Sequence, residues 1–502
     1  MNLDRAAAVV IGGYVNGYSV IQELHLCSVK NIILLSYGDR SQIAESSSFP
    51  KRIIKISHDD NSLKRALMEL HRDYDYIVPF PTNDNAIEGL CRFRDEIKDF
   101  CFLPFNPETL LRYSDKLSQY DVCDRCGVPR PKTCQMKELA DWCLLDKLAL
   151  PIIIKPATRI DVIEKVFAFR NRVINTKGEL QSLYPLFRYH VSKGNHFLAS
   201  EIVPGPSAGR IFAYTAYCTD DGYVLNGWGG CKLSQTPDDY GVFSTASNNF
   251  PSEVEEFAKR LFKETKVKGL VQAEFKENKL DGKFYFIEMN FRSDMWNRVG
   301  TLCGVYNAYS MWCEAIGSNI QTFKQHKEGE IVFCNLLTEL INLGRRENYW
   351  PVFKRCVFGQ AKRSFAFLDG FDLKVNAVWI LKILNVIRKQ IVSWIIKYTQ
   401  IWGLTKRVKN LKVKADLGLQ VGEGSKFFEN VYIGKNVTIG KNCIIGDKCS
   451  ISNGSDERIQ NTVVIGNDVV VGDGSQILSG VVVFDGSVIN NGSVVEKDVD
   501  LG

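Results

Sequence analysis

The 502-residue chain has no uncharged apolar run approaching the roughly 18–20 residues that span a bilayer. Its opening stretch, MNLDRAAAVVIGGY, lacks a cationic segment followed by a long apolar core, so the expectation is a chain without a secretion signal, working in the cytoplasm. Paired cysteine motifs are missing too. Of 15 cysteines, only Cys123 and Cys126 stand in a C-x-x-C spacing, with no second pair and no histidines nearby. That argues against structural zinc and for free thiols in a reducing compartment. Histidine is scarce: there are six, at 25, 58, 71, 190, 196 and 326, and none beyond. Nor is there a strong excess of one charge. The 63 basic and 57 acidic residues leave +6, too little over this length to argue for a nucleic-acid partner. The remaining composition, 45% hydrophobic and 24% charged, excludes disordered and collagen-like chains. At about 100–200 residues per domain it leaves room for three to five domains.

Strand and helix patterns alternate through residues 1–115. AVVIGG (8–13), NIILLSY (31–37) and YIVPF (76–80) read as short buried strands, with helical stretches such as 62–72 between them. This predicts a parallel, doubly wound sheet. The loops after the strands carry GGYVNG (12–17) and PTNDN (81–85), at the edge where such sheets bind ligands. Residues 116–320 read as α+β, with strands at LPIIIKP (150–156), FLASEIVPG (197–205), IFAYTAYC (211–218), LVQAEF (270–275) and KFYFIEMNF (283–291). Residues 252–265 read as a helix with an acidic first turn. Residues 321–410 form a connector. Its strongly apolar segment 375–402 is interleaved with Lys382, Arg388, Lys389 and Lys397. We read it as a core or subunit-packing helix in preference to a basic amphipathic helix lying on an anionic membrane surface.

From 411 to 502 the pattern changes. Apolar residues recur at a step of six: Val421, Phe427, Ile433, Ile439, Ile445 and Ile451, then Ile465, Val471, Ile477, Val483, Ile489 and Val495. Glycine follows directly at 422, 434, 440, 446, 466 and 472. One inward aliphatic per short step is the signature of a parallel β-helix. The interruption, NGSDERIQNT (453–462), has the composition of an extruded loop.

Candidate chemistry gathers in the middle region. Glu288 and Asn290, two apart on a strand, share a face. Glu274 lies on a preceding strand that can pair with this one. Two carboxylates and an amide oxygen suit Mg²⁺, a hard cation with oxygen ligands. Arg292, two further along, can clamp a phosphate. Lys116, in Ser114-Asp115-Lys116, and Lys155, closing the apolar IIIK strand, supply positive charge for a polyphosphate. Glu201 ends a strand. Its carboxylate can accept from an adenine amine or ribose hydroxyl while the backbone of Ile202 and Val203 reads the base edge. A plainer reading stands beside each: a solvated strand face, surface lysines with buried stems, a strand-end glutamate at the surface.

The succession SDK, IIIKP, SEIVPG, VQAEF, IEMNFR resembles the ATP-grasp superfamily over about residues 5–320. It looks closest to the carbamoyl-phosphate-synthetase-like and D-aspartate-ligase-like carboxylate–amine ligases, and GGYVNG and PFPTNDN fit the domain that precedes the grasp fold there. The resemblance implies an α/β and α+β ATP-grasp fold, a helical connector and a C-terminal left-handed parallel β-helix. The corresponding divisions are a pre-grasp domain at 1–115, a two-subdomain grasp domain at 116–320, a connector at 321–410 and repeats at 411–502. It implies ATP with two Mg²⁺ ions: Lys116 and Lys155 on the phosphates, with Lys155 also near the adenine, Glu201, Ile202 and Val203 on the adenosine, Glu274, Glu288 and Asn290 on the metal, and Arg292 on the transferred phosphoryl or acyl phosphate. The segment GGCKLSQTPDDYGVFSTA (229–246) resembles the stretch that faces the acyl phosphate, with Lys232 stabilising its charge. Arg210 and Arg298 fall to the carboxylate substrate, and Asp84 is a further substrate-side candidate. One departure stands out. No glycine lies between Lys155 and Gly178 where many members have a glycine-rich flap, so Thr158 and Arg159 would cover the phosphates, or the cover is looser.

The implied reaction joins a small-molecule or sugar carboxylate to an amine, such as an amino acid, through an acyl phosphate. The repeats resemble hexapeptide acyltransferases, which are usually trimers and generally use a histidine to deprotonate the acceptor. With no histidine after 326, and only Asp456 and Glu457 in the interrupting loop, the expectation is a trimerising scaffold. A ligase joined to such repeats points by analogy to cell-surface sugar or glycan tailoring. Two rivals remain: a hexapeptide acyltransferase whose grasp half only binds nucleotide, and a non-catalytic assembly protein with peripheral membrane contact.

Overall fold

The computed structural model describes residues 2–39, 42–157, 172–237, 241–326, 328–368, 372–401, 420–428, 430–434, 437–451 and 463–499. Thr158, Arg159, Asp456 and Glu457 lie outside these. The chain divides into two compact units, residues 1–130 with 203–398, and residues 131–202 with 399–502.

The first unit begins with a four-stranded parallel sheet in the order Arg52–Lys55, Ile32–Ser36, Ala6–Ile11, Tyr76–Pro81. The central strand Ala6–Ile11 is apolar without interruption because both its faces are covered, whereas the edge strand Arg52–Lys55 begins and ends on exposed charges. Ala7, Val9 and Ile11 join one core cluster, while Ala6, Ala8 and Val10 join another on the opposite face. The strand order reverses between Ala6–Ile11 and Tyr76–Pro81, which opens a crevice at their carboxyl ends. Gly17, in the helix Val15–Leu26, lies so close to the preceding loop that a Cβ there would stand 1.9 Å from the Gly12 carbonyl oxygen. The helix Asp84–Arg92 starts at the same edge. Asn83 caps it, its side chain accepting from the Ala86 N–H at 2.8 Å.

The same unit holds a seven-stranded sheet in the order Phe284–Asn290, Gly269–Glu277, Ile211–Cys218, Val224–Thr236, Val242–Ser247, Ile331–Cys334, Lys362–Phe365. All neighbours are antiparallel except the last pair. Residues 321–410 therefore contribute two strands here besides the helices Leu336–Arg345, Trp350–Phe358 and Leu373–Ile401. The last of these buries Val375, Trp379 and Ile383 in the unit's core. Among the described residues, no helix is long and apolar enough to cross a membrane. All fifteen cysteines are free, and Cys123 and Cys126 sit together on the helix Lys116–Cys126.

The second unit pairs an antiparallel sheet with the repeats. The sheet runs Thr133–Met136, Phe197–Glu201, Ile152–Pro156, Arg172–Ile174. The repeats form three four-stranded parallel sheets, each strand closing one six-residue step, with the aliphatics from Ile433 to Val495 buried inside. The glycines permit tight stacking of turns: a Cβ on Gly440 would stand 2.4 Å from the Gly466 carbonyl oxygen. Val464 and Val482 point outward, yet both are fully buried, because the helix Tyr184–Ser192 lies across them. Polar contacts complete this seam. The Tyr189 hydroxyl donates to Asp485 at 2.5 Å, Lys193 pairs with Asp485 at 3.2 Å, and Arg188 pairs with Asp498. A hydrogen bond to a charged acceptor contributes about 1.5–3 kcal/mol. Tyr189→Phe is expected to lower the stability of this unit by that order, read as a shifted midpoint in urea denaturation with an unchanged slope.

Candidate functional site

Helix Lys116–Cys126 places Lys116 at its first turn. Asp115 caps it by accepting from the Ser118 N–H at 2.8 Å, and Gly127 ends it in a left-handed conformation at φ 62°. The helix is fastened to the Glu288 strand by Gln119. Its side chain accepts from the Met289 N–H at 2.8 Å and donates to the Met289 carbonyl at 3.1 Å. Lys116 thereby reaches Glu288, Nζ to Oε2, at 3.0 Å.

Across the ladder, Glu288 stands directly opposite Glu274, and Asn290 opposite Gln272. The two carboxylates thus share one face of the sheet. Glu274 itself stands opposite Ala213, and Ala213 opposite Gly230. Lys232, one pair further along the same face, leans back to Glu274 with Nζ–Oε2 3.3 Å. Sequence alone left Lys232 between a loop and a catalytic position; it lies in the strand Val224–Thr236 and is buried. Removing one member of such a buried pair costs about 3–5 kcal/mol, since the other charge is stranded.

Asn290 donates to Glu288 Oε1 at 3.4 Å and accepts from Arg292 at 3.5 Å. Arg292 in turn grips Asp84 with two nitrogens, at 2.9 and 3.3 Å. Burial opposes the Arg292 charge, but the carboxylates of Asp84, Glu288 and Asp294 together more than offset it, and the guanidinium titrates above its ordinary value. Asp84 belongs to the crevice edge of the parallel sheet, so this contact brings the two sheets of the first unit to one place. Asp294 extends the spacing of two through 288, 290 and 292, a continuation that the alternation could have revealed. Buried, it accepts from the Thr215 hydroxyl at 2.7 Å and the Trp296 N–H at 2.8 Å. Burial raises its carboxyl to about 6, against those two hydrogen bonds.

Other expected residues make contacts of their own. Arg210 pairs with Glu277 at 2.9 Å, three residues beyond Glu274 on its strand. Arg298 opens the helix Arg298–Leu302, and its charge acts on the buried carboxyl of Glu23. Val203 is a buried residue of the first unit. In the second unit, Lys155 stands opposite Leu198 and Glu201 opposite Ile152. The Glu201 side chain accepts from the Ala149 N–H at 2.9 Å, and the Ile202 N–H donates to the Pro151 carbonyl at 3.1 Å.

Among the described residues, no three His, Cys, Asp or Glu side chains gather as a ligand set. The oxygen donors at hand are the facing Glu274 and Glu288 carboxylates and the Asn290 amide, a set suited to Mg²⁺ rather than to a thiolate- or imidazole-seeking metal. Two carboxylates held opposite one another, each answered by a lysine, fit a site where a cation and the anionic groups it carries displace those lysine contacts.

Strand order and directions place the chain in a class: it has the ATP-grasp fold, followed by hexapeptide repeats. Residues 420–455 match the family Bacterial transferase hexapeptide (six repeats). Among curated proteins, the chain is similar to the D-aspartate ligase of Enterococcus faecium (strain Aus0004), 22% identical over 231 residues, which is 44% of this chain and 54% of that one. It thus matches about half the length of that relative. Solved structures with this fold include biotin carboxylase from Campylobacter jejuni with β-γ-ATP. Its TM-score is 0.52 at 16% identity, covering 65% of this chain and 75% of that one. Another is the biotin carboxylase domain of Hydrogenobacter thermophilus 2-oxoglutarate carboxylase with MgADP, ADP and bicarbonate, TM-score 0.52 at 16% identity, covering 65% and 74%.

Glu23 supplies a test of the packing around Arg298. Its carboxyl accepts from the Tyr309 N–H and the Thr301 hydroxyl, both at 2.9 Å, yet burial raises it to about 7. The folded state therefore holds a proton that the unfolded chain releases near its ordinary value of 4.5. Stability from this group is full at low pH and falls as pH rises through that window. Glu23→Gln keeps the shape and removes the titration. The melting temperature of wild type relative to Glu23→Gln is expected to drop between about pH 4.5 and 7, and calorimetry across that range checks it.

Proposed function

We propose that the chain is an ATP-dependent carboxylate–amine ligase, ADP-forming and Mg²⁺-requiring. The observation that carries this reading is the Glu274–Glu288 pair, in register on adjacent strands, flanked by Lys116, Lys232, Asn290 and Arg292. The fold supports it, as does the similarity to a D-aspartate ligase. The structures with ATP and MgADP support the nucleotide and the metal.

Glu274, Glu288 and Asn290 would hold Mg²⁺, two ions in our reading. When bound, the metal neutralises the charge that spreads over the transferred phosphoryl oxygens. Lys116 and Arg292 then turn from their carboxylate partners to phosphate oxygens. A substrate carboxylate oxygen attacks the γ-phosphorus, and the bond to the ADP oxygen breaks. Lys232 steadies the resulting acyl phosphate. The amine attacks the carbonyl carbon, phosphate leaves with the C–O electron pair, and the amine's proton is released to give a neutral amide. No protein nucleophile is needed. We assign Lys155 to the phosphates and Glu201, Ile202 and Val203 to the adenosine on the motif resemblance. Arg210, Arg298 and Asp84 are the substrate-side candidates on the same ground.

The acid we place among small or sugar carboxylates and the amine among amino acids, the latter on the name of the bacterial relative. Cell-surface glycan modification is the setting that a ligase joined to hexapeptide repeats favours. Trimerisation through the repeats and a cytoplasmic location, where ATP and free thiols coexist, complete the proposal. It is tested by following ADP release with ATP, Mg²⁺ and panels of acids and amines. An active pair should appear, and Glu288→Gln should reduce its rate by about 100-fold or more. If no pair exceeds the Glu288→Gln protein, the ligase reading fails.

A further inference from the structure

We propose that the helix Leu373–Ile401 docks the protein on an anionic lipid surface through its solvent-facing side. This goes beyond the ligase reading and does not depend on it. The helix is half committed: Val375, Trp379 and Ile383 fill the core, and Gln390 donates to the Leu340 carbonyl at 2.6 Å, so its rotation is fixed. The opposite side carries large apolar residues that this fold leaves in water. Leu373 is 75% exposed, Leu381 66%, Leu384 54% and Ile380 47%. At a helical period these fall within one sector, together with exposed Ala377. Lys374 and Arg388 are exposed in the same sector.

Charge identifies the occupant. The helix has five basic residues and no acid. Counted from 373 to 415, the sequence has ten Lys or Arg and no Asp or Glu, while the rest of the chain carries a net charge of −4. The nearest acid, Asp372, turns inward, accepting from Ser47 Oγ at 2.5 Å and the Ser48 N–H at 3.2 Å. In sequence, then, the protein's positive excess falls on and directly after the helix that bears the exposed apolar stripe. A soluble polyanion would answer the lysines and arginines but not the leucines. Another copy of this helix would bring like charges together. An anionic bilayer answers both, with leucines entering the acyl boundary and basic groups reaching headgroup phosphates.

Sedimentation of the full-length protein with vesicles tests this, without ATP or substrate. Binding is expected on phosphatidylglycerol–phosphatidylcholine vesicles, about tenfold weaker on phosphatidylcholine alone, and weakened by raised salt. Leu381→Glu with Leu384→Glu, at exposed positions, should lower vesicle binding about tenfold with unchanged melting temperature. Lys374→Glu with Arg388→Glu should weaken the preference for anionic lipid. Absence of binding to anionic vesicles overturns the proposal, as does equal binding by the leucine variant. A solution mass that falls in the leucine variant while vesicle binding stays unchanged assigns the face to a second copy and also overturns it.

Discussion

Two glutamates face each other across adjacent strands, and much of the first unit is arranged to make that bearable. Like charges directly opposite in an antiparallel ladder repel. Here each is answered from a different element: Glu288 by the first turn of the Lys116 helix, Glu274 by Lys232 two strands away. The helix cannot drift, because Gln119 locks it to the Met289 backbone. Lys232 cannot drift, because its strand is held on both sides within the sheet. Arg292 then ties the strand end to Asp84 and so to the parallel sheet. Compensating one repulsion has gathered cations where an anionic, metal-bearing ligand needs them. The arrangement is held in reserve by lysine–carboxylate contacts that such a ligand replaces.

Much of this could be read from residue patterns. The strand Ile211–Cys218 and the helix Ser252–Thr265 fall where the sequence places them, because their apolar spacing is regular and their flanks are distinct. The pairing of the Glu274 and Glu288 strands followed from two nearby apolar runs that each carry a carboxylate, and the repeats from a phase held over many steps. What escaped depends on long-range contact. The strand Val224–Thr236 mixes Gly, Trp, Lys, Ser and Gln, which hides it from propensity arguments; neighbours on both sides make it a strand. Asp84 and Arg292 meet across 208 positions in the chain. Asp294 is singled out by its burial and two hydrogen bonds, both of which depend on the folded surroundings.

The repeats offered another surprise. From sequence they form a separate domain beyond a connector. In the structure, their outward valines share a core with residues 131–202, and Asp485 and Asp498 reach the helix Tyr184–Ser192. Apolar burial supplies the contact area, and the polar contacts fix its orientation. Nothing in a six-residue repeat marks which outward side chains will be covered. Val464 and Val482 read much like Val488 and Val494, which stay exposed.

That seam restricts how this part of the chain can change length. Val464 and Val482 stand eighteen residues apart and pair in register, one full turn of the coil. Adding or losing six residues between them would keep every inward aliphatic in phase and so would be silent to the coil's own core. Yet it would carry all later outward side chains to the neighbouring face, parting Val482 and Asp485 from the helix they hold. Elsewhere in the repeats, length can vary in sixes. Under this helix it is quantised in whole turns, so an alignment gap of six here would mark a protein in which the two modules have come apart.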